Sequence, residues 1–182
     1  VFNGQTIIPA VKNMQDFEKV LERDEKFFVA LELHISQLGS VRKYARKADK
    51  KMILHADLVQ GLKNDRYAAE FLSQTIKPAG IISTRVDMLK TAKKNNIMAI
   101  QRLFLLDTIA LHTSLQLART IKPDVIELLP GIIPSYIRKV HEETGIDIIA
   151  GGLIETEHDV KQAIDAGAKA VTTSRQDLWK AV

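Results

Sequence analysis

Eight short apolar runs recur along the chain, each followed by an amphipathic stretch, and this alternation limits the fold more than any other feature. The runs cover residues 5–10, 27–34, 51–57, 80–84, 97–102, 124–129, 147–151 and 169–173. They are aliphatic or β-branched, as parallel strands covered on both faces should be. Between them the apolar residues fall at helical spacing, as in Met14, Phe17, Val20 and Leu21, or Tyr67, Ala68, Phe71 and Leu72. The punctuation agrees. Asn13, Asp107 and Thr156 stand where N-caps belong, Pro134 at a first helical position, and Gly145 and Gly167 at C-terminal caps. Eight such units in a row predict an α/β fold, a compact (β/α)8 TIM-type barrel, over an open doubly wound sheet. Spread over 182 residues, each unit has about 23, against about 31 in a typical barrel, so the loops must be short. No linker interrupts the pattern, and residues 1–182 read as a single barrel domain.

Composition fits a soluble globular chain. Hydrophobic residues make up 46% and charged ones 26%, and no apolar run approaches the roughly 18–20 residues of a membrane span. The opening Val1-Phe2-Asn3-Gly4 does not read as a secretory leader. There are no cysteines, which removes disulfides and thiolate-bound metals and is compatible with a cytoplasmic location. The formal charge of +4 is too mild to argue for nucleic acid by itself. Its distribution is uneven: Arg42, Lys43, Arg46, Lys47, Lys50 and Lys51 lie within ten residues that hold one acid, Asp49. Lys90, Lys93 and Lys94 form a smaller cluster. A run of this kind is either a solvated helix face or a contact surface for a phosphate backbone.

Residues two apart on a strand share a face. On that basis Glu32 and His34 close the second strand facing inward or upward, His55 and Asp57 close the third, and Gln101 and Glu127 take the inward parity of the fifth and sixth. The expected result is an apolar lower barrel with a polar layer above it, at the C-terminal face where barrel sites are built. Arg85 and Arg102 close their strands and can balance the carboxylates.

The seventh strand ends in Gly151-Gly152, where backbone can approach a ligand closely. The eighth ends in Thr172-Thr173-Ser174 before a short stretch with Asp177, Leu178 and Trp179, expected to be a helix whose N-terminus favours an anion. Either half alone has a plain structural explanation, a tight turn or an N-cap. Together, in the last two of eight units, they predict a phosphate cradle. No sequence motif for catalysis is present, and no catalytic residue, cofactor or metal is assigned. Glu32, His55, Asp57 and Glu127 suit either a divalent ion or a hydrogen-bonded polyol, and spacing does not separate the two.

Several longer strings are more specific. His55-Ala56-Asp57-Leu58-Val59-Gln60-Gly61-Leu62-Lys63-Asn64-Asp65, Gly80-Ile81-Ile82-Ser83-Thr84-Arg85 and Ile100-Gln101-Arg102-Leu103-Phe104-Leu105-Leu106-Asp107 occur in that order. Glu127-Leu128-Leu129-Pro130-Gly131, Ile149-Ala150-Gly151-Gly152-Leu153-Ile154 and Val171-Thr172-Thr173-Ser174 follow. With these, the whole chain resembles the glycerol uptake operon antiterminator regulatory proteins. The resemblance implies a cytoplasmic regulator that senses glycerol 3-phosphate and binds leader mRNA of glycerol-utilisation genes. On this reading we expect Gly151, Gly152, Thr173 and Ser174 to hold the phosphate, with Thr172 in support and Arg102 near the phosphate or balancing Glu127. Glu32, His55, Asp57, Gln101 and Glu127 would order the glycerol hydroxyls, and Lys63 would close over the ligand. Arg42, Lys43, Arg46 and Lys47 are the candidate RNA contacts, and a homodimer is compatible with the exposed barrel rims. The competing expectation is an enzyme (an isomerase, lyase or phosphodiesterase) acting on a small phosphorylated polyol or sugar. In it Glu127 or Asp57 would serve as base and His55 as acid.

Overall fold

The computed structural model describes residues 1–180; the last two residues of the expected 1–182 domain lie outside them. Eight parallel strands close into a barrel in sequence order: β1 (Ile7–Val11), β2 (Phe27–Ala30), β3 (Lys51–His55), β4 (Gly80–Ser83), β5 (Met98–Phe104), β6 (Val125–Leu129), β7 (Asp147–Gly151) and β8 (Ala170–Thr173), with β8 pairing back onto β1. Seven helices cover the outside: α1 (Met14–Leu21), α2 (Ile35–Lys47), α3 (Arg66–Phe71), α4 (Val86–Lys94), α5 (Thr108–Ile121), α6 (Pro134–Thr144) and α7 (Glu157–Asp165). α3 runs on into a wide π-helical turn, Leu72–Ile76. Among the described residues β8 is followed by a 3-10 turn, Gln176–Leu178, in place of the expected α-helix whose N-terminus would favour an anion.

The expected caps are in place. The side chains of Asn13, Asp107 and Thr156 accept from backbone amides of the first turns of α1, α5 and α7. Each relieves one of the unpaired amides that any helix leaves at its start.

Every strand sends one apolar side chain into the lower barrel: Ile8, Val29, Ile53, Ile82, Ile100, Val125, Ile149 and Ala170. Phe2 and Phe27 meet edge to face beneath them, with ring centroids 5.4 Å apart, and close the lower end. The upper interior is polar, since His55, Arg102, Glu127 and Thr172 continue the inward parity of β3, β5, β6 and β8.

Three expected inward positions are corrected. In β2 the interior face is Phe27, Val29 and Leu31, while Phe28 and Ala30 pack outward against the helices. Phe28 lies 5.6 Å from the Phe17 ring of α1. Glu32 lies beyond the strand on the exposed loop, and His34 occupies the N-cap of α2. The misreading has a physical source: both faces of a barrel strand are buried, so the alternation of apolar residues does not say which face is which. Gln101 also points outward, its Nε2 donating to the carbonyl of Ser114 on α5 at 3.0 Å.

Phe28→Ala is therefore expected to cost about 3–5 kcal/mol in urea unfolding, and Glu32→Ala no more than about 0.5 kcal/mol. Comparable losses from both would place Glu32 inside after all.

Candidate functional site

A pocket of about 410 Å³ opens at the C-terminal face of the barrel. Ala10, Val29, Leu31, Leu129, Leu153 and Ile154 supply apolar wall, and Lys12, Arg102, Glu127, Gly152, Glu155, Thr172, Thr173, Ser174 and Arg175 the polar part. Its polar centre is the pair Arg102–Glu127, on neighbouring strands in direct register, with Nε 3.6 Å from Oε2. Thr172 Oγ1 donates to the other carboxylate oxygen, Oε1, at 3.2 Å. Neither Arg102 Nε nor Glu127 Oε2 has a hydrogen-bond partner, though both are buried. Leaving such atoms unmatched costs about 1–3 kcal/mol each, a cost that polar groups entering the pocket can relieve.

The surroundings hold the pair in place. Arg102 Nη1 donates to His55 Nε2, and the guanidinium lies 4.9 Å from the centroid of the Phe104 ring. Burial first, and Arg102 second, push the His55 pKa down to about 4, against the pull of Asp57. The imidazole is therefore neutral near pH 7 and able to accept from Arg102. Burial pushes the Glu127 carboxyl up, opposed by Arg102 and by the Thr172 hydrogen bond.

Gly151 is required here by space. A Cβ on it would stand 2.5 Å from Thr172 Oγ1 and 3.1 Å from Glu127 Oε1. Gly151 thus lets the carboxylate and hydroxyl close up, while Gly152, in left-handed backbone at φ +75, presents itself to the pocket. The Thr173 hydroxyl is occupied between loops: it donates to the Ile154 carbonyl at 3.3 Å and accepts from the Arg175 amide at 3.1 Å.

Of the residues expected from sequence, Gly152, Thr172, Thr173, Ser174, Arg102 and Glu127 line this pocket together, with Gly151 and His55 directly behind them. Asp57 does not reach it. Ser83 Oγ, the Thr84 amide and Arg85 Nε donate to its carboxylate at 2.6, 2.8 and 3.2 Å, a latch joining the ends of β3 and β4. Burial raises the Asp57 pKa, but these donors outweigh burial and hold it below the usual carboxylate range. Glu32, Gln101 and Lys63 are also elsewhere, Lys63 on the exposed β3–α3 loop. The acid–base pairing of His55 with Asp57 or Glu127 is not assembled around the cavity.

Sequence reading missed Lys12 and Arg175. Lys12 follows the inward positions Ile8 and Ala10 by the two-residue strand period; ending the first run at Ala10 hid it. No ion pair engages Lys12 among the described residues, whereas Arg175 is clasped by Asp177 at 2.9 Å. No group of three or more metal-ligating side chains is present among the described residues, and no helix there is long and apolar enough to cross a membrane.

The family model for the glycerol-3-phosphate responsive antiterminator matches residues 7–179. The chain belongs to that family. A solved glycerol uptake operon antiterminator regulatory protein from Listeria monocytogenes is 50% identical, with a TM-score of 0.95 over 98% of this chain and 96% of that one. A related protein from Thermotoga maritima is 30% identical, with a TM-score of 0.85 over 97% of this chain and 99% of its own. The uncharacterized Escherichia coli protein YgcP is 33% identical over 95% of this chain and 91% of its length. The deoxyribose phosphate aldolase of Aeropyrum pernix shares the fold alone, at 14% identity and a TM-score of 0.72 over 92% of this chain and 85% of that one. Family membership puts the chain with regulators of transcription rather than with the enzymes of similar shape.

The His55 environment has a pH consequence. Its folded-state value near 4 lies below the ordinary 6.5, so the unfolded chain takes the proton first as pH falls. The associated stability is complete above pH 6.5 and is lost towards pH 4; raised Glu127 acts in the opposite direction. Between pH 7 and about 4.5, wild type should lose at most about 2–3 kcal/mol more than His55→Gln, read from thermal melts. Equal losses would show that His55 is not held neutral.

Proposed function

We propose that the chain is a cytoplasmic antiterminator that binds glycerol 3-phosphate in the pocket above the barrel and, in that state, the leader mRNA of glycerol-utilisation genes. The observation that carries the reading is the pairing, in one small cavity, of a free cation with an unsatisfied ion pair. Lys12 lies at the rim beside Gly152 and Ser174, while Arg102 Nε and Glu127 Oε2 lie deeper, 3.6 Å from each other and without hydrogen-bond partners. Glycerol 3-phosphate has complementary parts. Its phosphate takes the Lys12 ammonium together with the Gly152 and Ser174 loops, and its hydroxyls bridge Arg102 and Glu127. Thr172, Thr173 and Gly151 fix this geometry, and His55 backs Arg102.

The strand ends rather than a long loop do the recognition, which leaves Lys63 without a part in it. To act as a signal the ligand must bind the RNA-competent state more tightly than the other. Membership of a glycerol-3-phosphate responsive antiterminator family supports both halves of the reading.

Calorimetric titration with glycerol 3-phosphate tests the site. Lys12→Ala and Arg102→Gln should each weaken binding about tenfold to a hundredfold, the weight of a charge-assisted hydrogen bond. Glycerol alone should bind far more weakly than its phosphate ester. If both variants keep wild-type affinity, the effector is held elsewhere. Mobility shifts of the leader should require the ligand.

A further inference from the structure

On the outer wall, a groove of about 570 Å³ runs between α2 and the π-helical turn. Arg42, Lys43, Arg46 and Lys47 line it from α2, and Thr75 and Lys77 from the other side. No carboxylate lines it, and none of its five cations forms an ion pair among the described residues. Several cations elsewhere on the surface are paired. Lys26 is paired with Asp49, Lys139 with Glu143 and Lys161 with Asp165. The smaller cluster on α4 begins beside Asp87, and its Lys93 donates to the Lys122 carbonyl. Lys50, in the same basic stretch of sequence, is buried with Nζ on the Glu25 carbonyl at 2.8 Å.

Basic residues in the last turn of a helix suit the helix dipole, which alone accounts for Arg46 and Lys47. Lys77, held in left-handed backbone at φ 51, caps the π-helical turn in the same way, but the dipoles do not account for two such ends from different elements meeting in one groove without a carboxylate. Its carbonyl accepts from Arg42 Nε at 2.8 Å, which fixes the guanidinium between the two walls. Like charges at i and i+4 repel, and here that happens twice, Arg42 with Arg46 and Lys43 with Lys47. Burial first and then Arg46 work against the charge on Arg42. A polyanion in the groove reverses both penalties. The two pairs repeat at about 6 Å along the helix axis, on the scale of successive phosphates in a nucleic-acid strand. Tyr44, 54% exposed with Lys47 Nζ 6.0 Å from its ring centroid, flanks the groove with a face on which a base can stack.

We infer that this α2/π-turn groove is where the protein holds the phosphate backbone of its RNA, with Lys77 and Arg42 joining the two walls. The inference rests on the reading of the chain as an RNA-binding antiterminator and adds the surface and the chemistry. The groove and the effector pocket share one strand–helix unit, since Leu31 lines the pocket and α2 begins at Ile35.

The test is gel mobility of the 5′ leader transcript from the protein's own glycerol-utilisation operon, with saturating glycerol 3-phosphate, across salt from about 50 to 200 mM. Lys43→Gln/Arg46→Gln/Lys47→Gln/Lys77→Gln should weaken leader binding at least tenfold and reduce the log–log salt slope by about three. Effector affinity by calorimetry should stay at the wild-type value and the thermal midpoint should not fall, because all four side chains lie on the outer surface and two like-charge repulsions are relieved. Lys90→Gln/Lys94→Gln is the control and should leave the shift unchanged. Wild-type binding that survives the fourfold change with its salt slope intact overturns the groove and leaves the antiterminator reading standing. A loss that comes from the α4 control instead does the same. Failure of wild type to bind the leader at any salt sinks both. Binding of polyglutamate but not RNA, abolished by the fourfold change, would reassign the groove to an acidic protein and overturn the inference.

Discussion

An arginine and a glutamate held 3.6 Å apart inside a barrel set the terms for everything at its upper end. Two buried charges are expensive to remove from water, and the attraction between them offsets that only with good geometry and further hydrogen bonds. Around Arg102 and Glu127 the chain supplies those partners one at a time. Thr172 donates to the carboxylate, neutral His55 accepts from the guanidinium, and Phe104 offers its ring face. Gly151 has no side chain because there is no room for one. What the protein does not supply is a hydrogen-bond partner for Arg102 Nε or Glu127 Oε2, and that deficit is open to polar groups entering the pocket.

The rest of the barrel makes this arrangement one-sided. Apolar side chains from all eight strands fill the lower interior and the Phe2–Phe27 contact closes its base, so a ligand enters only from the strands' C-terminal ends. Short connections keep the recognising groups on strand ends: Lys12 one residue beyond β1, Ser174 one residue beyond β8. A site built this way is held by the sheet itself, which suits a sensor that must bind a small molecule without a large lid.

Much of this was legible in order and spacing. The eightfold alternation was enough for the barrel, and the pairing of Gly151–Gly152 with Thr172–Ser174 in the last two units located the mouth of the pocket. Glu127 and His55 follow from strand parity, whereas Arg102 is legible only as a strand-end charge able to balance a carboxylate. The failures also have particular causes. Glu32 was placed inside because Phe28, Ala30 and Val29 are all apolar and all buried, so β2 carries no sign of which face meets the helices. Gln101 sits one residue from Arg102 and faces α5, a one-residue ambiguity with the same origin. Asp57 reads from sequence as the inward end of the third strand, but β3 stops at His55, and four donors from Ser83, Thr84 and Arg85 bind the Asp57 carboxylate into the framework.

The sequence by itself determined the number of units, the closed parallel sheet and the family, because periodicity, caps and long strings are local properties of the chain. Tertiary structure alone decided which polar residues share a cavity, and that Lys12 joins the Gly152 and Ser174 loops only because β1 pairs with β8 to close the barrel. It likewise brought Lys77 to the basic face of α2. The reason is the same in both cases: contacts between residues far apart in the chain depend on strand register and helix packing, which the hydrophobic pattern constrains but does not specify.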